Sequence, residues 1–106
     1  MDSAIRGAWV NQTGSLTVIH RFDEDLGCGT WMYADNKGRI NITRYETSEG
    51  FFGNQIMFKD DHGNISGKLK YKFIEKNILR MDGIDYRRAT YEEEDFLLQN
   101  VFPSKS

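Results

Sequence analysis

The chain has 106 residues, a formal net charge of -2, and 14 Lys+Arg against 16 Asp+Glu. That length suits one domain, and the near-cancelling charge excludes a global basic field for nucleic acid or anionic lipid. One Cys and two His exclude a four-ligand Cys/His zinc site and an intrachain disulfide.

Met1 to Gly7 carries no apolar run of signal-peptide length, and no stretch of about eighteen apolar residues occurs that would span a membrane. The default expectation is a cytoplasmic protein. Asn11-Gln12-Thr13, Asn41-Ile42-Thr43 and Asn64-Ile65-Ser66 match the glycosylation triplet, and the same residues also suit strand edges and turns.

Turn signals recur along the chain at Thr13-Gly14, Asp23 to Gly27, Asp35-Asn36-Lys37-Gly38, Ser48-Glu49-Gly50, Asp60-Asp61-His62-Gly63, Glu75-Lys76-Asn77 and Asp82-Gly83. They separate strands expected near 8–12, 15–22, 28–34, 39–47, 53–59, 64–74, 77–81 and 84–89. The connections are too short for parallel crossovers, so neighbouring strands pair antiparallel. Alternation turns Leu16, Val18, His20 and Phe22 inward, then Ile40 and Ile42, Ile56 and Phe58, Leu79 and Met81, and Ile84 and Tyr86. Leu69, Tyr71 and Phe73 face in while Lys68, Lys70 and Lys72 face water. These stripes predict an all-β fold, a small antiparallel up-and-down eight-stranded barrel over 7–89.

The composition then changes. Thr90-Tyr91-Glu92-Glu93 is a capping-box pattern, and Glu92 to Asp95 load acid into a first helical turn. Phe96, Leu97 and Val101 share one face and Pro103 stops the run, which predicts a short C-terminal helix over 91–100. The whole of 1–106 reads as a single domain.

Gly7-Ala8-Trp9 opening the first of eight strands resembles the calycins, the superfamily of lipocalins, fatty-acid-binding proteins and avidins. Their common feature is a G-x-W on the first strand with an Arg late in the last strand packed over that Trp. Arg88 takes that part here, or Arg87 if the register slips. The resemblance implies that Gly7, Trp9 and Arg88 form a structural plug at the closed end of the barrel, the guanidinium stacked on the indole. The stretch Gly7-x-Trp9-x-Asn11-x-x-Gly14-Ser15, followed by Gly29-Thr30-Trp31, is similar to the avidin opening. It implies a small-ligand site at the barrel mouth using Asn11, Ser15 and Trp31, with Tyr33 two residues on. The chain departs from avidins in having only Trp9 and Trp31 as tryptophans, so tight biotin binding is not expected.

Other candidates carry two readings. Asn11, Thr13 and Ser15 form either a polar recognition patch or a hairpin turn bonded to its own backbone. His20 and Arg44 fall on inner faces by alternation, where a basic group must be paired and can hold a ligand carboxylate; a slip of one residue turns both outward. Asp60, Asp61 and His62 read as turn residues rather than metal ligands, and Cys28 as a small buried filler. The lysine row reads as a solvated face that also protects an edge, not as a nucleic-acid surface. No nucleophile, base and oxyanion hole assemble, so neither an enzyme nor a cofactor is expected.

Two functions stay open. One is a non-enzymatic binding module for a small, partly apolar molecule, held by Asn11, Ser15, His20, Trp31, Tyr33 and Arg44. The other is a protein-interaction or inhibitor domain with a solid barrel, whose loop Glu49-Gly50-Phe51-Phe52-Gly53 offers Phe51 and Phe52 to a partner. Interior packing separates them: if Leu16, Val18, Ile42, Phe58, Leu69, Tyr71 and Phe73 all meet at native density, no cavity remains and the ligand reading fails.

Overall fold

The computed structural model describes residues 2–25, 28–51 and 53–101, without the side chains of Asp25, Cys28, Phe96, Leu97, Leu98, Asn100 and Val101. The expectations for Cys28, Phe52, the apolar helix face and Pro103 therefore fall outside the described residues. The strands are β1 (Gly7–Thr13), β2 (Leu16–Asp25), β3 (Cys28–Asp35), β4 (Ile40–Gly50), β5 (Gly53–Lys59), β6 (Ile65–Glu75), β7 (Ile78–Met81) and β8 (Ile84–Arg88), followed by the helix α1 (Tyr91–Val101). Each strand pairs antiparallel with the next and β8 pairs with β1, so the sheet closes into an eight-stranded up-and-down barrel. Among the described residues, no helix is long and apolar enough to cross a membrane.

Register carries the inner face around the barrel. Trp9 lies opposite His20, His20 opposite Tyr33, and Phe22 opposite Trp31. The core gathers Ile5, Trp9, Val18, Phe22, Trp31, Tyr45, Ile56, Tyr71, Leu79, Met81 and Tyr86. Ring packs on ring: Trp31 and Phe58 lie 4.5 Å apart between centroids, and Phe22 and Tyr45 lie 5.1 Å apart at 74°. Eight strands enclose about the volume that side chains fill, and aromatic rings occupy much of it here.

The fourth strand corrects the alternation reading. Thr43 lies opposite Trp31 and Asn41 opposite Tyr33, so Asn41, Thr43 and Tyr45 face inward. Ile40 and Ile42 face out and are each 48% exposed. Arg44, paired with Thr30 and Lys59, is likewise on the outer, exposed face. The β3–β4 turn sets this parity. Asp35 Oδ1 accepts from the backbone N–H groups of Lys37 and Arg39 at 2.9 and 3.1 Å, and Asp35 N–H donates to the Arg39 carbonyl. A turn so fixed places Ile40 opposite the outward Ala34, and the stripe follows.

One end is plugged by a segment that alternation could not reveal. Ser3–Ile5 forms a 3₁₀ turn with Ile5 fully buried, and the Ala4 N–H donates to the capping Asp2 Oδ1 at 2.9 Å. Trp9 Nε1 donates to the Ile5 carbonyl at 2.9 Å. The Arg88 guanidinium lies 3.8 Å from the Trp9 ring centroid and donates to the carbonyls of Arg6 and Ala4 at 2.6 and 3.1 Å. Arg88, rather than Arg87, is opposite Trp9 in register. Gly7 has φ +110, and a Cβ there would lie 2.7 Å from Arg88 Nη1, so the glycine makes room for the guanidinium. Tyr71 hydroxyl donates to Asp2 Oδ2 at 2.8 Å, tying the plug to β6.

On the outer surface, Ala8, Val10, Ile19, Met32 and Ala34 are also buried, and α1 packs against β3 on this side. The capping box forms as read. Glu93 N–H donates to Thr90 Oγ1 at 3.2 Å, and Thr90 N–H donates to Glu93 Oε1 at 3.0 Å. Arg87 adds a forked pair to Glu93 at 2.7 and 2.8 Å, which holds the helix start on β8.

One buried group is left over. The Tyr45 hydroxyl has no hydrogen-bond partner among the described residues, and burial together with Glu24 and Asp23 pushes its pKa up to about 12. An unpaired buried donor costs about 1–3 kcal/mol. Tyr45→Phe is therefore expected to keep or raise stability, by about 1 kcal/mol in urea unfolding. A clear loss of stability would reveal a partner for the hydroxyl.

Candidate functional site

The end opposite the plug carries the β1–β2, β3–β4, β5–β6 and β7–β8 turns. Its inward side chains Leu16, Tyr33, Phe58 and Leu69 are only partly buried, and Ile84 is 46% exposed. This is the apolar, accessible end of the interior.

His20 sits beneath it at 8% exposure. Trp31 Nε1 donates to His20 Nδ1 at 3.0 Å, across a diagonal of the β2–β3 pair. The imidazole lies edge-on to Tyr33 at 5.3 Å and to Tyr86 at 5.0 Å, and it stacks on Trp31 at 5.8 Å. Burial lowers its pKa to about 4. The ring is thus neutral at pH 7, and because Nδ1 accepts, the proton resides on Nε2. Neither Nε2 nor the Tyr86 hydroxyl makes a hydrogen bond among the described residues, and neither is sealed from solvent. Two donors therefore stand in an aromatic cage with no acceptor of their own.

Tyr33 adds a polar rim. Its hydroxyl donates to Asp35 Oδ2 at 2.8 Å, and Arg39 Nε reaches the same oxygen at 2.6 Å. Burial by itself raises the Asp35 carboxyl, but Tyr33, the two backbone N–H groups and Arg39 outweigh it and hold the pKa at about 2. The carboxylate is a fixed anchor of the rim.

The remaining expected residues go elsewhere. Asn11 is half-buried on the barrel seam. Only Trp9↔Arg88 and Val10↔Arg87 pair β1 with β8, and beyond them Asn11 Nδ2 donates to the Asp85 carbonyl at 3.1 Å. Its amide takes the place of the missing strand bond and also accepts from Thr13 Oγ1 at 2.8 Å. Ser15 lies exposed at the β1–β2 turn, where its carbonyl accepts from Asn36 Nδ2 at 2.6 Å. Arg44 is on the outer face, away from His20. The structure brings His20, Trp31 and Tyr33 together and leaves Asn11, Ser15 and Arg44 apart from them. It adds Tyr86 and Asp35, which sequence reasoning used only as a core residue and a turn residue. At the β5–β6 turn, Asp60 Oδ1 accepts from the N–H groups of His62 and Asn64, the geometry of a self-bonded turn.

Clefts of about 420, 240 and 350 Å3 on the described surface are lined by residues other than His20, Trp31 and Tyr33. The aromatic site lies toward the open end, with His20 8% and Trp31 9% exposed and Tyr33 partly buried. Comparison with family models, curated proteins and solved structures gives no match to this chain.

Proposed function

We propose that the chain is a non-enzymatic binding domain of calycin-like build that holds a small, partly apolar molecule at the open end of its barrel. One observation carries the reading: the donors His20 Nε2–H and Tyr86 hydroxyl, set among Trp31, Tyr33 and Phe22 rings, have no acceptor among the described residues. A ligand that offers one acceptor and one flat apolar face satisfies both the donors and the rings. The plug of Gly7, Trp9 and Arg88 supports the calycin likeness. With Asn11 committed to the seam and Ser15 to the turn, biotin itself is not the expected ligand.

Titration with 1-anilinonaphthalene-8-sulfonate tests the proposal. The dye is expected to saturate at one site, quench tryptophan emission, and bind at least about tenfold more weakly to a His20→Phe, Tyr86→Phe double variant, which keeps the rings and removes both donors. Equal affinity in the double variant would remove the site. The second reading, a protein-interaction domain, is favoured by Phe51, which is 97% exposed in the β4–β5 turn, and by the packed interior.

A further inference from the structure

β6 changes partner halfway along. Ile65–Tyr71 pair with β5, whereas pairing with β7 begins only at Tyr71 opposite Met81. On the β7 side of the upper half, the Lys70 carbonyl accepts from Asp82 N–H at 2.9 Å. Alternate residues of a strand direct their backbone groups to the same side. The Lys68 N–H and carbonyl thus point the same way as those of Lys70, and there they meet no strand. A short open edge remains here among the described residues, as one does on β1 beyond Val10.

The edge is charged. Lys68, Lys70 and Lys72 are exposed and take part in no ion pair among the described residues. Met57 and Gln55 lie opposite Lys68 and Lys70, and Arg80 lies opposite Lys72; the one carboxylate that Lys72 acts on, Asp85, is two strands away and already forked to Arg80. Arg80 is held in place by a forked pair with Asp85 at 2.6 and 3.2 Å. The cleft of about 420 Å3 lies here, lined in part by Lys70, Lys72, Arg80 and Asp82. Gly53 and Gly83 also line it, and a Cβ on either would meet nothing within 4 Å. Space, positive charge and unpaired backbone coincide.

We propose that the Lys68–Lys72 edge of β6 is a docking site for an acidic peptide segment in extended conformation. The segment pairs its main chain with Lys68 and sets carboxylates against Lys68, Lys70 and Lys72, with one side chain in the cleft. A second copy of this chain does not fit, because antiparallel pairing of two such edges sets lysines against lysines. The proposal is independent of the aromatic site at His20.

The probe is a six-residue peptide of alternating glutamate and valine, blocked at both ends, titrated against the ¹⁵N-labelled protein. Expected are shifts at the Lys68 and Lys70 amides, slowed hydrogen exchange at Lys68, and weakening as salt rises. Charge reversal in Lys68→Glu, Lys70→Glu should weaken binding at least about tenfold, with an unchanged circular dichroism spectrum. Methylating alternate backbone nitrogens of the peptide should abolish the slowed exchange. The proposal is overturned if a lysine–valine peptide binds equally well, or if the methylated peptide binds as tightly as the parent. Shifts that map to His20 and Tyr33 overturn it too, as does protection of Lys68 that grows with protein concentration alone.

Discussion

Trp9→Ala is expected to cost about 3–5 kcal/mol, the range for deleting a large buried aromatic. Trp9 is fully buried, and three contacts converge on it. Its indole N–H satisfies the Ile5 carbonyl, its face carries Arg88, and its ring lies 6.0 Å from Phe73. Removing it leaves the 3₁₀ turn without an anchor and the guanidinium without a surface. A domain of this kind has about 5–15 kcal/mol of stability, so the variant is expected to be partly unfolded at room temperature. Arg88→Ala should cost less, because its other contacts are two carbonyls at the plug. The pair should show coupling of about 1 kcal/mol in a double-mutant cycle read by urea unfolding. Arg88→Lys should recover little, since an ammonium cannot stack flat while bridging the carbonyls of Ala4 and Arg6. Additive losses would mean that the plug is not a unit.

Acid should destabilise the barrel through His20. Its ordinary pKa of 6.5 falls to about 4 in the folded protein because burial penalises the charged ring. Between those values the unfolded chain binds a proton that the folded chain refuses, so stability falls as pH falls. The loss begins near pH 6.5 and levels off near pH 4. Its size is about 3 kcal/mol, at about 1.4 kcal/mol for every pH unit separating the two values. Asp35 and Glu93, each held at about 2, act in a lower window. Their depressed values favour the fold above the ordinary carboxylate range and lose that advantage as pH drops toward 2. Urea unfolding between about pH 7 and 5 thus reports mainly on His20. His20→Gln should flatten that slope, whereas an unchanged slope would place the titrating group elsewhere.

The barrel was legible in the sequence because its turns are written in glycine, asparagine and aspartate and its strands are short and alternating. The capping box at Thr90 and Glu93 was legible for the same reason, as local chemistry at fixed spacing, whereas the Trp9–Arg88 stack was expected only from the resemblance to calycins. β4 was not legible. Its apolar alternation at Ile40 and Ile42 is genuine but faces outward, and only the bonds inside the Asp35–Arg39 turn decide which parity wins. Arg44 was carried to the wrong face with them. The 3₁₀ turn at Ser3–Ile5 is too short for a periodic signal, and its place in the fold depends on a bond to Trp9 and on long-range bonds to Tyr71 and Arg88. At the candidate site, His20 followed from strand alternation, and Trp31 and Tyr33 from the likeness to the avidin opening. The Trp31–His20 hydrogen bond did not, because it runs on a diagonal that depends on sheet twist. Asn11 illustrates the limit of motif reading. The residue matches the avidin opening, yet its amide is used to close a seam where β8 stops pairing with β1.

The most direct test of ligand binding at the open end is the nitrogen chemical shift of the His20 ring, measured at about pH 7 with and without 1-anilinonaphthalene-8-sulfonate. A neutral ring with Nδ1 as acceptor is expected in the free protein, and a dye-induced change at Nε2 with matching shifts at Trp31 and Tyr33. An imidazolium under those conditions, or a ring left unmoved while the amides of the β4–β5 hairpin shift instead, would contradict binding at this site.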